Sequence, residues 1–271
     1  MATLRVSGSS STYVGDTYTV TVSVSYSASE SDLYCDSVSA TVYWGDGTSS
    51  TIDMPTTACA NGSVAGSGSA TASHTYSSSG TYSVYATVYT VNSNTISVTV
   101  YALPSISISV NKTAVDQGIS IQATVTVSGG VPNYSVTVYW GDGTTTSDTW
   151  TSTGSTTYTH TYTTTGGKIV YATVTDGGGK SATSNSVNVG VSPVISGSAS
   201  FSPTSVDANQ QSVTASVTFS GGTAPYSITV YWGDNTTSSQ SNISSTGTYT
   251  FTHTYTASGS YSAYAVVYSS G

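Results

Sequence analysis

The chain of 271 residues carries a formal net charge of −8, and only 6% of its residues are charged. Its four basic residues are too few for the clustered Lys and Arg surface that nucleic acids and anionic membranes attract. No apolar run reaches the ~20 residues of a membrane span. Ser, Thr, Gly, Val and 22 Tyr fill the composition and favour strands over helices, so we expect an all-β protein.

Two signatures recur three times along the chain, a Trp-Gly-Asp turn and a later His-Thr-Tyr. A period of about ninety residues with two landmarks predicts three homologous domains in tandem, 1–102, 103–192 and 193–271. The repeated residues are Trp44, Asp46, His74 and Tyr76, then Trp140, Asp142, His160 and Tyr162, then Trp232, Asp234, His253 and Tyr255.

The first repeat contains an insertion between its two signatures. Trp44 and His74 are 30 positions apart, against 20 and 21 in the other repeats. Cys35 and Cys59 flank this longer loop, and we favour a disulfide between them over two buried thiols. A disulfide indicates an oxidising or extracellular setting.

The second repeat shows the strand pattern most clearly, because apolar and polar residues alternate between turns rich in Gly, Pro, Asn and Asp. Seven short strands separated by turns are typical of a β-sandwich of immunoglobulin type. The predicted strands are Ser105 to Val110, Ile119 to Val127, Tyr134 to Trp140, weaker Thr-rich strands up to Tyr158, Lys168 to Val174, and Ala182 to Val189.

The period of two also assigns the faces of the strands. Val136, Val138 and Trp140 are predicted to point inward. The outward tyrosines are either strand formers in cross-strand pairs or a surface that packs on another chain or on sugar. Trp150 matches no repeat position and is the predicted exposed anchor. The outward set is Tyr43, Tyr85 and Tyr89, then Tyr139 and Tyr171, then Tyr231, Tyr264 and Tyr268.

The motifs of the third repeat resemble a known family. Ser-Gly-Gly-Thr-Ala-Pro-Tyr at 220–226, then Trp-Gly-Asp, His-Thr-Tyr and Gly-Ser-Tyr at 259–261, are similar to the PKD (polycystic-kidney-disease-type) domain. The resemblance covers essentially the whole chain in three copies. Asn235 and Lys168 depart from the pattern locally. The resemblance implies extracellular spacer, adhesive or assembly modules of surface layers, receptors and secreted hydrolases of bacteria and archaea.

No enzyme is predicted. All three histidines occupy one repeat position, which favours a structural role in the turn beside a tyrosine-corner-like Tyr and leaves none for a Ser-His-Asp arrangement. Glu30 is the single glutamate, so paired acids of glycosidase type are not evident. Glu30, Asp32 and Asp36 form a weak calcium candidate against the alternative of a solvated acidic loop, and no other cofactor is predicted.

Five glycosylation sequons support a surface location. They begin at Asn61, Asn111, Asn133, Asn235 and Asn242.

The third repeat is shorter than the others after its His-Thr-Tyr. The chain reaches Gly271 just past the predicted strand Tyr261 to Tyr268, so we expect a sandwich without its last strand and with an open edge. Either the molecule continues past Gly271, which we favour, or another chain supplies the strand, including a second copy.

We therefore expect a non-enzymatic structural or adhesive protein on a cell or virion surface, a spacer, filament or spike segment. Three sandwiches end to end would span on the order of 100 Å, and other protein chains would bind through sheet edges and Tyr-rich faces. Because native carboxylates are few, we expect acid tolerance and an archaeal source. The alternative is a carbohydrate-binding accessory module of a larger secreted hydrolase, with polysaccharide on Trp150 and the tyrosines.

Overall fold

The computed structural model describes residues 2–28, 38–55 and 64–271, and every regular element in these ranges is a β-strand. The strands form six sheets, which pair around three hydrophobic clusters. The predicted all-β immunoglobulin-like architecture is confirmed. No helix in the described ranges is long and apolar enough to span a membrane. The predictions for Cys35, Cys59, Asn61, Glu30, Asp32 and Asp36 lie outside the described residues.

The first sandwich packs a sheet of order β1-β3-β6 on a sheet of order β2-β9-β7-β4-β5, with β8 paired to β7. Neighbouring strands are antiparallel except β2 and β9, which run parallel. The strands are β1 Ala2–Gly8, β2 Ser11–Tyr13, β3 Thr17–Ala28, β4 Val38–Tyr43, β5 Ser49–Met54, β6 Val64–Thr75, β7 Gly80–Val88, β8 Val91–Asn92 and β9 Ile96–Tyr101.

The second sandwich repeats this topology as β10-β12-β15 and β11-β18-β16-β13-β14, with β17 paired to β16. The structure adds the short strand β11 to the seven that the alternation predicts, and it divides the predicted strand Ala182 to Val189 between β17 and β18. The strands are β10 Ser105–Val110, β11 Ala114–Asp116, β12 Ser120–Ser128, β13 Tyr134–Tyr139, β14 Thr145–Trp150, β15 Gly154–Thr161, β16 Gly166–Thr175, β17 Ser181–Thr183 and β18 Val187–Ser192.

The third sandwich pairs the sheet β19-β20-β23 with the sheet β22-β21-β24. Among the described residues, no strand lies where β9 and β18 lie in the other sandwiches. The strand predicted from Tyr261 therefore begins only at Tyr264. The strands are β19 Ser196–Ser202, β20 Val213–Ser220, β21 Tyr226–Tyr231, β22 Thr237–Ile243, β23 Gly247–His253 and β24 Tyr264–Tyr268.

Alternation along the strands decides which side chains enter each core. In the second sandwich, the core includes Val136, Val138 and Trp140 from β13 and the residue after it. Val170 and Ala172 on the neighbouring strand β16 are buried in the same core. The predicted inward faces of these two strands are therefore correct. Equivalent residues form the other two clusters, so the same pattern builds all three cores.

The chain divides into two compact units. Unit 1 comprises residues 1–104 with the short segments 129–131 and 176–180, and unit 2 comprises 105–128, 132–175 and 181–271. The predicted boundaries at 102/103 and 192/193 stay a prediction.

Candidate functional site

In the second repeat, the two sequence signatures meet in one cluster of side chains. His160 Nε2 lies 2.7 Å from Asp142 Oδ2, and its ring stacks on the Trp140 indole with centroids 4.7 Å apart. Tyr162 meets the same imidazole edge-on at 4.7 Å. The Tyr162 hydroxyl donates to the Trp140 carbonyl oxygen at 2.8 Å. The histidine is therefore held on three sides.

Asp142 also closes its own turn. Its Oδ1 accepts hydrogen bonds from the backbone N–H of Thr144 at 3.0 Å and from the Thr144 hydroxyl at 2.6 Å. Gly141 has a φ of +80°, and a Cβ there would come within 2.5 Å of the backbone nitrogen of Ile169. Only glycine fits both the left-handed conformation and the close approach.

The cluster is built three times with nearly the same dimensions. The His–Asp distance is 2.7 Å in every repeat, and the Trp–His centroid distances are 5.0, 4.7 and 4.9 Å. Because the same cluster is present in every sandwich, its geometry supports the structural role that repetition predicts. The other copies consist of Trp44, Asp46, His74 and Tyr76, and of Trp232, Asp234, His253 and Tyr255.

The electrostatics of the cluster favour the ionised carboxylate. Burial alone would raise the pKa of Asp142, but hydrogen bonds from Thr144 and His160 outweigh it and lower the pKa to about 2. Hydrogen bonds from Thr236 and His253 likewise outweigh burial, which would raise the pKa of Asp234, and lower it to about 2. Burial, with the nearby charge of Asp142, raises the pKa of Tyr162 to about 12. The carboxylates thus act as fixed acceptors at neutral pH.

The outward tyrosines form face-to-face pairs across neighbouring strands. Tyr139 and Tyr171 stand directly opposite each other, with ring centroids 4.6 Å apart and planes 6° from parallel. The rings of Tyr139 and Tyr171 are partly exposed. Tyr264, which belongs to the pair in the third sandwich, is more open to solvent at 55% exposure. Tyr89 lies beyond the end of β7 and is exposed, as is Tyr268. The remaining pairs are Tyr43 with Tyr85 at 4.9 Å and Tyr231 with Tyr264 at 4.7 Å.

Trp150 is not an exposed anchor, and this prediction is wrong. Its side chain is only 8% exposed and belongs to the core of the second sandwich. The indole Nε1 donates to the Tyr158 hydroxyl at 3.0 Å. Trp150 does have repeat equivalents, since it pairs with the first residue of β13 as Met54 and Ile243 pair with the first residues of β4 and β21. All three residues are buried. Because they differ in type, comparison of the repeats in the sequence does not show that their positions are equivalent.

Four of the five sequon asparagines are described, and all four are exposed. Asn133, Asn235 and Asn242 have positive φ angles of 74°, 72° and 57°, a conformation that asparagine tolerates better than most residues. Asn111 Oδ1 accepts a hydrogen bond from the Gln122 backbone at 2.8 Å. Each asparagine therefore has a backbone role, and glycosylation stays a prediction.

Sequence reasoning missed a buried carboxylate in unit 1. Asp176 Oδ2 accepts hydrogen bonds from the Tyr13 hydroxyl at 2.6 Å and the Val131 N–H at 2.9 Å. Its Oδ1 accepts from the Gly178 and Lys180 N–H groups at 3.0 and 2.8 Å. Burial opposes these bonds, yet together they lower the pKa of Asp176. It therefore organises the loop 176–180 as an anion.

Unit 2 contains a hydrogen bond that corresponds to the one between Tyr13 and Asp176, but the carboxylate and the hydroxyl have exchanged positions. Asp116 occupies the strand position of Tyr13, since each pairs with the last residue of a parallel strand. Its carboxylate accepts hydrogen bonds from the Thr223 hydroxyl at 2.6 Å and from the Ser269 hydroxyl. Ser269 in turn occupies the position of Asp176. Because the residue types are exchanged, comparison of the repeats does not reveal the pair.

Two asparagines outside the repeated motifs tie the last strand of a sandwich to its first. Asn94 Oδ1 accepts from the Val6 N–H at 2.9 Å, and Asn94 Nδ2 donates to the Val6 carbonyl oxygen at 3.0 Å. Asn185 makes the same two bonds to Ile108, at 3.1 and 2.9 Å. Each asparagine stands two residues before β9 or β18.

No family model matches this chain, and no curated protein matches it. Several solved structures are similar to it. A PKD domain of a peptidase from a Thermoplasmatales archaeon is 18% identical, with a TM-score of 0.28, over 34% of this chain and 94% of that one. An I-band fragment of titin is 14% identical, with a TM-score of 0.43, over 94% of this chain and 97% of that one.

A structure concerning a bacterial ice-binding adhesin is also 14% identical, with a TM-score of 0.39, over 94% of this chain and 87% of that one. The archaeal structure is a PKD domain and the titin fragment consists of immunoglobulin domains, the kinds of domain that the repeated motifs resemble. At such identities and scores they carry no functional argument. Function is therefore inferred from the geometry of this chain.

Proposed function

We propose that the chain is a non-enzymatic, extracellular structural or adhesive module, a spacer or filament segment of a cell or virion surface. One observation carries the proposal: among the described residues, a His–Asp pair occurs in every sandwich, with the imidazole between a Trp ring and a Tyr ring. A side chain enclosed in this way holds a turn in place.

Two surfaces among the described residues suit contact with a partner, namely the tyrosine pairs and, in the third sandwich, the sheet edge at β24. The rings of each pair stack on each other at 4.6 to 4.9 Å, and they remain at least partly exposed on the outward side of the sheet. Such surfaces suit contact with another protein chain, because tyrosine combines a large apolar area with a polar end.

Surface location is tested with antibodies raised against the whole chain. We expect them to label intact cells or virions of the source organism without permeabilisation. Labelling that appears only after lysis would contradict the proposal. An antibody against a cytoplasmic protein is the control for leakage.

A second candidate function is carbohydrate binding by the tyrosine pairs, because partly exposed aromatic rings also suit contact with sugars. The test is binding to a polysaccharide panel by the native chain and by Tyr139→Ala and Tyr171→Ala variants. Thr137→Ala on the same strand is the matched control. Equal binding by all four proteins would exclude the pair as a sugar platform.

A further inference from the structure

We propose that the paired outward tyrosines are sites of oxidative cross-linking within the chain, and that each pair forms one dityrosine bond between two neighbouring strands. The co-reactant is hydrogen peroxide, used by a haem peroxidase. The inference goes beyond the proposed function, because each link forms inside one sandwich and involves no partner chain.

The three tyrosine pairs occupy the same place in every sandwich. Tyr139 on β13 and Tyr171 on β16 stand directly opposite each other in the strand register, and the tyrosines of the other two pairs do the same. Side chains directly opposite on antiparallel strands have Cβ atoms about 4.5–5.5 Å apart. The register therefore brings together rings that are distant in sequence, at positions 43 and 85, 139 and 171, and 231 and 264.

The rings of each pair are in face-to-face contact. In chain order, their centroids are 4.9, 4.6 and 4.7 Å apart, and their planes lie 16°, 6° and 12° from parallel. The Cε carbons of one ring, which are ortho to its hydroxyl, thus lie next to the partner ring. Because the χ2 torsion of tyrosine is broad, a tilt of the rings brings two Cε atoms together. Such proximity makes coupling of two tyrosyl radicals effectively unimolecular.

The hydroxyl groups distinguish the outward pairs from the other close tyrosine pairs. Tyr76 with Tyr82 and Tyr255 with Tyr261 also stack, at 4.5 and 4.2 Å. Each of those four hydroxyls donates to a backbone carbonyl oxygen. Among the described residues, none hydrogen-bonds to a hydroxyl of the outward pairs. A phenol gives up its proton on one-electron oxidation, and the outward hydroxyls can release it directly to water.

Few other oxidisable side chains in the described ranges are open to an oxidant in solution. The tryptophans of the three His–Asp clusters are fully buried, Trp150 is 8% exposed, and Met54 is 1% exposed. Tyr89 and Tyr268 are exposed, but neither stacks on another ring of the described residues. These two could therefore couple only between chains, which gives the experiment a distinguishable alternative.

The coupling balances in atoms and electrons. Each phenol loses one electron and one proton to give a phenoxyl radical, and the two radicals form a carbon–carbon bond between their Cε atoms. The hydrogen on each of these carbons moves to the phenolic oxygen, which restores both aromatic rings. Hydrogen peroxide accepts the two electrons and the two protons and leaves as two water molecules. One pair and one peroxide thus give one dityrosine.

The probe is hydrogen peroxide with a haem peroxidase, added to a dilute solution of the full 271-residue chain. We expect monomers that have lost two hydrogen atoms per pair, with peptide maps that join 43 to 85, 139 to 171 and 231 to 264. The midpoint of thermal unfolding should rise by at least about 5 °C, because a cross-link restricts the unfolded chain as a disulfide does. Tyr139→Phe should lose only the link in the second sandwich. Tyr82→Phe, from a hydrogen-bonded pair, is the matched control and should keep all three links.

Three results would overturn the proposal. The first is coupling only between chains, seen as dimers that contain no internal link. The second is an equal yield of the same links after unfolding in urea, because the folded geometry would then not direct them. The third is no link at all under conditions that couple free tyrosine. Surface labelling of cells involves no oxidation, so failure of the proposed function is distinguishable from failure of this inference.

Discussion

The hydroxyl of Tyr162 donates a 2.8 Å hydrogen bond to the carbonyl oxygen of Trp140, and both side chains are fully buried. This bond joins the chain after β15 to the chain after β13, which belongs to the facing sheet. The same bond recurs at 2.9 Å and 2.8 Å in the other two sandwiches. It therefore ties the two layers of each sandwich together.

Tyr162→Phe should destabilise the chain by about 1–3 kcal/mol, because it leaves the buried Trp140 carbonyl without its donor. Tyr171→Phe is the matched control, since its hydroxyl is on the outward face, and it should change stability by less than about 0.5 kcal/mol. Urea unfolding monitored by fluorescence measures both. Equal effects would show that the bond does not bind the layers.

Acid should leave stability unchanged until about pH 4 and then reduce it. The folded pKa of Asp142 and of Asp234 is lowered from 3.8 to about 2, so their stabilisation is present above pH 4 and is lost as pH falls through about 2. Thermal unfolding from pH 7 to pH 2 measures this. Asp142→Asn should flatten the acid limb, and a fall beginning near pH 6 would contradict the assignment.

Alkali should act through the buried tyrosines. The folded pKa of Tyr162 is raised from 10.0 to about 12, so its stabilisation is complete below pH 10 and is lost as pH rises through about 12. Unfolding midpoints from pH 8 to pH 12 measure the effect, with Tyr162→Phe as the variant whose alkaline limb should be shallower. An unchanged limb would exclude Tyr162 as its cause.

Trp150→Ala should cost about 3–5 kcal/mol, because it opens a cavity in the core of the second sandwich. Trp150→Met, the residue at the equivalent position of the first sandwich, should cost less. Chemical denaturation compares the two variants. Little loss in Trp150→Ala would mean that its burial contributes nothing to stability.

Asp176→Asn should destabilise unit 1 by about 1–3 kcal/mol. The carboxylate accepts four hydrogen bonds, and an amide nitrogen cannot accept those made to one of its oxygens. Hydrogen exchange of the 176–180 amides is the local readout, and Asp207→Asn in an exposed loop is the control. Unchanged exchange in Asp176→Asn would refute the organising role of the carboxylate.

Tyr139 and Tyr171 provide a double-mutant cycle. Two stacked rings across a strand pair should show a coupling free energy of about 0.5–1 kcal/mol when both are replaced by Ala. Thr137 and Thr173, also directly opposite on these strands, are the matched control pair. A coupling near zero would leave the tyrosine faces without a stabilising role and would favour their use in binding.

The local sequence pattern was sufficient to predict the threefold repeat, the all-β class and the inward and outward faces of the main strands. The Trp-Gly-Asp and His-Thr-Tyr signatures recur because each turn needs its glycine and each aspartate its partner, and these requirements act within one sandwich. Alternation with period two placed Val138 and Trp140 inside because neighbouring side chains on a strand must point to opposite faces.

Only the tertiary structure decided which positions another strand covers. Trp150 is buried through its register with β13, and Tyr13 meets Asp176 across 163 positions of sequence. Residues 261–263 alternate like a strand yet form none, since the pairing strand found in the other sandwiches is absent from the described part of the third. Hydrophobic burial and hydrogen bonding between strands depend on non-local partners, and no local pattern specifies whether a partner is present.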